Sequence, residues 1–118
     1  MIVPATDVRL VLTTAGSGDE AECIAHSLVD EGLAACVNIL PGLTSIYRWK
    51  GEVETAPEIL LLIKTTTHNL APLEEAIRHL HSYEVPEFLV LHPESASKPY
   101  LKWLFESTNP PTGTQNEK

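Results

Sequence analysis

The chain has 118 residues, of which 43% are hydrophobic, and it carries a formal net charge of −8. This length can bury the core of one domain but leaves no room for a second. The acidic balance argues against a nucleic-acid partner and against anionic membrane surfaces, since both need a basic face. No run approaches the roughly 18 apolar residues of a membrane span. Two cysteines, Cys23 and Cys36, are too few for a disulfide framework, so we expect a cytoplasmic protein.

A strand and a helix are predicted at the start of the chain. The apolar run from Val8 to Thr14 predicts a central strand. The glycine-rich turn after it lacks the spacing of a phosphate-binding loop, and Ser17 followed by Glu20 matches a capping box at a helix start. Apolar residues then recur at helical spacing until Gly32, which predicts the C-terminal cap.

A long β-hairpin is predicted between Leu33 and Thr65. Gly51 supplies the freedom that a tight turn needs, and Pro41-Gly42 predicts a bulge in the first strand. A strand of roughly 16 residues spans about 50 Å, whereas a helix of about 15 residues covers about 22 Å. The hairpin should therefore overhang its own domain. Because residues 59–63 are apolar at both parities, we expect neighbouring copies to cover the second face of the sheet.

A second helix, a last strand and a short third helix complete the pattern. Pro72 is tolerated only in a first turn, which sets the start of the second helix near His68. Residues 87–92 predict the last strand. Ser97 and the Lys-Pro pair after it predict the cap of the terminal helix, whose apolar side is expected to contain Tyr100, Trp103 and Leu104.

The predicted element order defines the fold class. The order β-α-β-β-α-β is the α+β, ferredoxin-like arrangement, with one antiparallel sheet, a long central hairpin and both main helices on one face; a short C-terminal helix follows. We assign 1–106 to a single domain. Residues 107–118 are rich in Pro, Thr and Asn, cannot bury enough apolar surface, and are expected to be a disordered tail.

Five motifs stand in order along the chain. They are Glu31-Gly-Leu-Ala-Ala-Cys36-Val-Asn, Pro41-Gly42-Leu-Thr-Ser45-Ile-Tyr47-Arg-Trp49, Lys64-Thr-Thr66, Tyr83-Glu-Val-Pro86-Glu87 and Tyr100-Leu-Lys-Trp103-Leu. Together they resemble the CutA-type divalent-cation tolerance family over roughly residues 8–105. The resemblance implies a homotrimer built on the long hairpins, a cytoplasmic bacterial protein, and tolerance of copper and other divalent cations. The fold and assembly also look like those of PII signalling proteins, which is a fold-level analogy.

The resemblance implies two metal ligands, His81 and Cys36. The family's partner positions are not matched, because Leu12 stands at the matching strand position in place of a cysteine and Leu80 stands in place of a second histidine. Two ligands are fewer than a tight transition-metal site uses. We therefore expect at most weak Cu²⁺ binding through exposed imidazole nitrogens of His81, with His79 as an additional candidate. The alternative is that these residues only serve a helix end and a strand core.

Six other motif residues form a second candidate site. They are Tyr47, Trp49, Glu58, Lys64, Tyr83 and Glu87. Half-buried charges need partners, so one interpretation is that these residues hold subunits together, with a Lys64–carboxylate pair at the boundary. The other is an inter-subunit pocket in which aromatic rings stack on a small ligand and charges orient it.

Three functions stay open at this point. The first is a small trimeric protein of copper tolerance or response with weak metal binding. The second is a PII-like regulatory protein that binds a small molecule at subunit interfaces, and the third is an assembly or anchoring scaffold. Catalysis is not expected, because the candidate nucleophiles Cys36 and Ser45 lie on no recognisable nucleophile motif.

Overall fold

The predicted β-α-β-β-α-β elements and the terminal helix are present, together with two further short strands, in residues 1–108, which the computed structural model describes. The elements are β1 (Ile2–Pro4), β2 (Val8–Ala15), α1 (Gly18–Asp30), β3 (Cys36–Trp49), β4 (Glu52–Thr66), α2 (Leu70–Leu80), β5 (Leu89–Leu91), β6 (Ser95–Ser97) and α3 (Lys98–Glu106). A 3₁₀ turn, Thr67–Asn69, leads into α2 near the predicted start. The predicted tail lies outside the described residues from position 109 onward. No helix in the described part is long and apolar enough to cross a membrane.

The main sheet is antiparallel and has four strands in the order β3-β4-β2-β5. Its inner face is packed against α1 and α2. Fully buried residues from both layers form this core, among them Val11, Leu61, Ile63, Ile24, Leu28, Leu73 and Ile77. One sheet with both main helices on one face is the predicted ferredoxin-like arrangement.

The β3–β4 hairpin has the predicted turn. Lys50 and Gly51 both have positive φ, 50° and 85°, and Trp49 pairs with Glu52 across them. This two-residue type I′ turn matches the twist of the flanking strands. The strands are 14 and 15 residues long, and the molecule extends 49 Å along its longest axis. Near the turn Val53 is 62% exposed, so the hairpin extends beyond the cover of the helices as predicted.

The outer face of the sheet is apolar and partly open within one chain. Leu62 lies at its centre, opposite Leu12 on β2 and Asn38 on β3. Leu89 and Leu91 continue the face on the edge strand β5, where they are 53% and 42% exposed. A sheet face open to water is normally polar, so this surface has the character of an interface.

Two differences concern the chain ends. β1 and β6 form a separate two-stranded antiparallel sheet, with Ile2 opposite Ser97. It was not predicted, because three-residue strands carry no readable periodicity. The last strand of the main sheet is β5 alone, shorter than the predicted 87–92.

The apolar side of α3 was predicted wrongly in part. Leu101 and Leu104 are buried against the cluster formed with Ala5. Tyr100 and Trp103 are 39% and 43% exposed, with ring centroids 5.5 Å apart. The helix itself was predicted correctly. Its buried side, however, contains Leu101 in place of Tyr100 and Trp103, because α3 packs on the N-terminal segment.

Helix α1 has the caps that the sequence predicts, except that the carboxylate of Glu20 makes a different contact from the one expected. Ser17 accepts the backbone N–H of Glu20 at 3.2 Å. Gly32 has φ 74°, and the N–H of Leu33 donates to the carbonyl of Leu28, which is the Schellman arrangement. The side chain of Glu20 was expected to return to the cap; instead it bonds Ser82, 62 residues further along the chain.

Candidate functional site

A cavity of about 760 Å³ forms where the hairpin meets the loop between α2 and β5. Five of the six residues predicted to form a ligand pocket line it: Tyr47, Trp49, Glu58, Tyr83 and Glu87. They come from β3, β4 and the loop, so three separate segments supply the walls. The structure thus brings these five residues together within one chain.

The bulge in β3 places the aromatic residues of the cavity. The pairing shifts by one residue between Leu40 and Leu43, where Gly42 has φ 86°, as Pro41-Gly42 predicted. Because side chains alternate between faces, the extra residue moves Tyr47 and Trp49 onto the face that carries Glu58. Without the bulge these rings would point to the opposite side of the hairpin.

A short hydrogen bond joins the loop to the hairpin. The Tyr83 hydroxyl donates to Oε2 of Glu58 at 2.7 Å. Burial and the adjacent Glu58 carboxylate raise the pKa of Tyr83 well above its ordinary value, because both disfavour the phenolate. The phenol is therefore neutral at physiological pH and acts as a donor.

We expect Tyr83 to ionise late in an alkaline titration. Since its folded-state pKa is raised, the stabilisation from the neutral phenol is complete below the unfolded pKa of about 10 and is lost as pH rises through the folded value. Absorbance titration of tyrosinate checks this, with Tyr83→Phe removing the late step and Tyr100→Phe as the matched control. A late step that persists in Tyr83→Phe would contradict the assignment.

His81 is buried at the C-terminal end of α2, so the expectation of exposed imidazole nitrogens was wrong. Its side chain has no exposed surface. Nε2 donates to the carbonyl of Thr14 at 2.6 Å, and Nδ1 accepts the backbone N–H of Tyr83 at 3.0 Å. Nδ1 must carry a lone pair to accept that bond, so the ring is the neutral Nε2–H tautomer. Both nitrogens are engaged inside the chain.

Cys36 lies elsewhere, at the start of β3. It pairs with Lys64, which pairs in turn with Leu10, whereas His81 bonds the backbone of Thr14. Four residues of strand separate Leu10 from Thr14, about 13 Å along the sheet. One chain therefore does not bring His81 and Cys36 together. In residues 1–108 no group of three or more His, Cys, Asp or Glu side chains could hold a metal ion. Metal binding by these two residues stays a prediction.

Lys64 is the pocket residue that the structure places apart. It lies on the outer face of the sheet, with Nζ 6.0 Å from the ring centroid of Tyr100. In the described part of the chain it forms no ion pair. A Lys64–carboxylate pair across a subunit boundary stays a prediction.

Sequence reasoning missed residues that complete or support the cavity. Glu84 and Val85 line it between the motif residues Tyr83 and Pro86. Glu20 bonds Ser82 just before that segment. The position of Glu84 inside a family motif was a usable signal, whereas no local pattern links Glu20 to a loop 62 residues away.

Comparison with known proteins gives the same family as the motifs. Residues 9–107 match the CutA1 divalent ion tolerance protein family. The chain belongs to this family. The divalent-cation tolerance protein CutA of Thermus thermophilus is 54% identical over 100 residues, which are 85% of this chain and 97% of that protein. A CutA homolog of Xenopus laevis is 49% identical over 71% of this chain, which spans 56% of that longer protein.

Solved CutA structures share the fold. CutA from Synechococcus elongatus PCC7942, in complex with a Bis-Tris molecule, superimposes with a TM-score of 0.84 at 38% identity, covering 91% of this chain and 99% of that one. The resemblance and the predicted α+β fold are thereby confirmed. A role in divalent-cation tolerance follows from the family and from the names of its members.

Proposed function

We propose that this CutA-family chain serves divalent-cation tolerance as a homotrimer that binds a small organic cation in the cavity. The observation that carries the proposal is the convergence of Tyr47, Trp49 and Tyr83 with the carboxylates of Glu58 and Glu87 around one opening. Aromatic walls with a few convergent polar groups are the usual composition of a small-ligand site. The proposal is a specific version of the PII-like function, in which a small molecule binds at a subunit interface.

The charge of the lining favours a cation. Its residues in the described chain include Glu58, Glu84 and Glu87 but no lysine or arginine. Carboxylates form charge-assisted hydrogen bonds with ammonium groups, and ring faces attract cations. The Trp49 ring already faces one cation, since Nζ of Lys50 lies 5.7 Å from its centroid. An ammonium ligand in the cavity would make a similar contact with the Trp49 ring and would lie near the carboxylates of Glu58 and Glu87.

Bis-Tris provides a suitable probe. It is a hydroxylated tertiary amine, and the Synechococcus relative was solved in complex with it. Calorimetric titration of Bis-Tris into the protein, in phosphate buffer at a mildly acidic pH that keeps the amine protonated, should show saturable binding, together with a change in tryptophan fluorescence from Trp49. Glycerol, a neutral polyol, should give neither signal. A linear, non-saturating heat with Bis-Tris would contradict the proposal.

The trimer is part of the same proposal. In a trimer, neighbouring copies would cover the apolar outer face around Leu62 and the extended hairpin. Tyr47 and Trp49 are 43% and 39% exposed in one chain, so a neighbouring subunit would also narrow the opening of the cavity.

Weak copper binding is the second candidate, favoured by the divalent ion tolerance family itself. We expect a Kd no tighter than about micromolar, because tight transition-metal sites use three or four protein ligands. Copper(II) titration of the unmodified protein, His81→Ala and Cys36→Ser checks this. Sub-nanomolar binding would contradict the expected weakness, and an isotherm unchanged in both variants would remove both residues from the metal site.

A further inference from the structure

We infer that Glu20 is a positioning residue of the cavity, because it bonds Ser82 and so fixes the segment that carries Tyr83. The inference rests on the proposed function of the cavity. It assigns a role to a side chain that does not line the cavity itself.

The loop has little structure of its own. Residues 82–88 belong to no helix or strand, and within residues 1–108 they form no backbone-to-backbone hydrogen bond. The first two backbone N–H groups of the loop are bonded by side chains instead. Ser82 N–H donates to Oε2 of Glu20 at 2.7 Å, and Tyr83 N–H donates to Nδ1 of His81 at 3.0 Å. Side chains therefore set the path of the loop.

Glu20 holds Ser82 with both carboxylate oxygens. Oε1 accepts the Ser82 hydroxyl at 3.1 Å while Oε2 accepts the N–H. Burial alone would raise the pKa of Glu20, but the two hydrogen bonds from Ser82 lower it below its ordinary value. The carboxylate is thus ionised at neutral pH and forms charge-assisted bonds.

Glu20 stands on a capped turn of α1 that is anchored in the core. Glu20 stands in the first turn of α1, which Ser17 caps, and the next residue, Ala21, is fully buried in the core. Next to the loop, Nε2 of His81 donates to the carbonyl of Thr14 on β2. The loop is therefore tied to both the helix layer and the sheet.

Tyr83 receives this support at both ends. Its N–H is bonded by His81 and its hydroxyl by Glu58. Its ring also lies close to Gly16, where an added Cβ would stand 3.2 Å from the hydroxyl oxygen. A shift of Ser82 would move the Tyr83 ring away from Glu58 and change the shape of the cavity.

Glu20→Ala tests the inference, with Asp19→Ala as a matched control that removes an equal charge from an exposed position in the same turn. We expect the Kd for Bis-Tris to rise about tenfold in Glu20→Ala, which corresponds to about 1.4 kcal/mol. Glu20→Gln keeps one acceptor and should lie between, while Asp19→Ala should match the unmodified protein.

Hydrogen–deuterium exchange gives a readout that needs no ligand. Amides 82–88 should exchange faster in Glu20→Ala, with the β2–β4 ladder unchanged. Unchanged loop exchange, or unchanged affinity despite faster loop exchange, would overturn the inference. If Glu20→Ala does not fold, Ser82→Ala removes the hydroxyl bond alone and must show a smaller change in the same direction. Absence of Bis-Tris binding by the unmodified protein would overturn the proposed function, while loop exchange still decides whether Glu20 fixes the loop.

Discussion

Replacing Leu62 with aspartate is expected to convert the proposed trimer into monomers. Leu62 lies at the centre of the apolar outer face, between Leu12 and Asn38. A carboxylate there would be buried without a partner in the assembly, at a cost of several kcal/mol (roughly 3–5). Sedimentation equilibrium should therefore show 13.0 kDa particles for Leu62→Asp and a threefold mass for the unmodified protein.

Val29→Asp is the matched control for this experiment. Val29 is 42% exposed on α1, so the same charge enters a surface that does not belong to the outer face of the sheet. We expect it to remain trimeric. A folded, fully trimeric Leu62→Asp protein would show that the outer face is not the interface, and a stable monomer of the unmodified protein at micromolar concentration would remove the trimer altogether.

Replacing Glu58 with glutamine is expected to weaken Bis-Tris binding by about tenfold or more. The change keeps the size of the side chain but removes the carboxylate that accepts the Tyr83 hydroxyl and faces the cavity. A hydrogen bond to a charged group contributes about 1.5–3 kcal/mol, and tenfold in affinity corresponds to about 1.4 kcal/mol. Calorimetric titration measures the difference directly.

Glu54→Gln is the control that distinguishes the loss of the Glu58 contact from the loss of one negative charge. Glu54 lies on the same strand and the same face, opposite Tyr47, but does not line the cavity. Its replacement changes the net charge by the same amount and should leave the Kd within about twofold, because exposed charges are screened by salt. Equal losses in the two variants would mean that the acidic field, not the Glu58 contact, attracts the ligand.

Local features of the fold could be predicted because their causes are local. Gly51 and Gly42 occupy positions that require a positive φ, and Ser17 supplies the hydrogen-bond acceptor that the first turn of α1 needs. The convergence of Tyr47 with Glu58 could also be anticipated in part, since a single bulge residue determines which face each ring occupies.

Long-range contacts could not be predicted in the same way. The spacing of Ser17 and Glu20 favoured a capping box, but the loop after α2 offers Glu20 a serine hydroxyl and a free N–H. The resemblance implied that His81 would expose its imidazole nitrogens to a metal ion, yet packing turns its ring inward toward Thr14. In both cases a contact with a distant segment of the chain decided the outcome, and no local pattern indicates such a contact.

Soaking crystals of the protein with Bis-Tris and determining the structure tests the central claim most directly. We predict electron density for the amine between the rings of Tyr47, Trp49 and Tyr83, with its nitrogen within hydrogen-bond distance of the Glu58 or Glu87 carboxylate. Density for the probe at another surface, or an unchanged cavity at saturating probe in crystals whose cavity is open to solvent, would contradict the account.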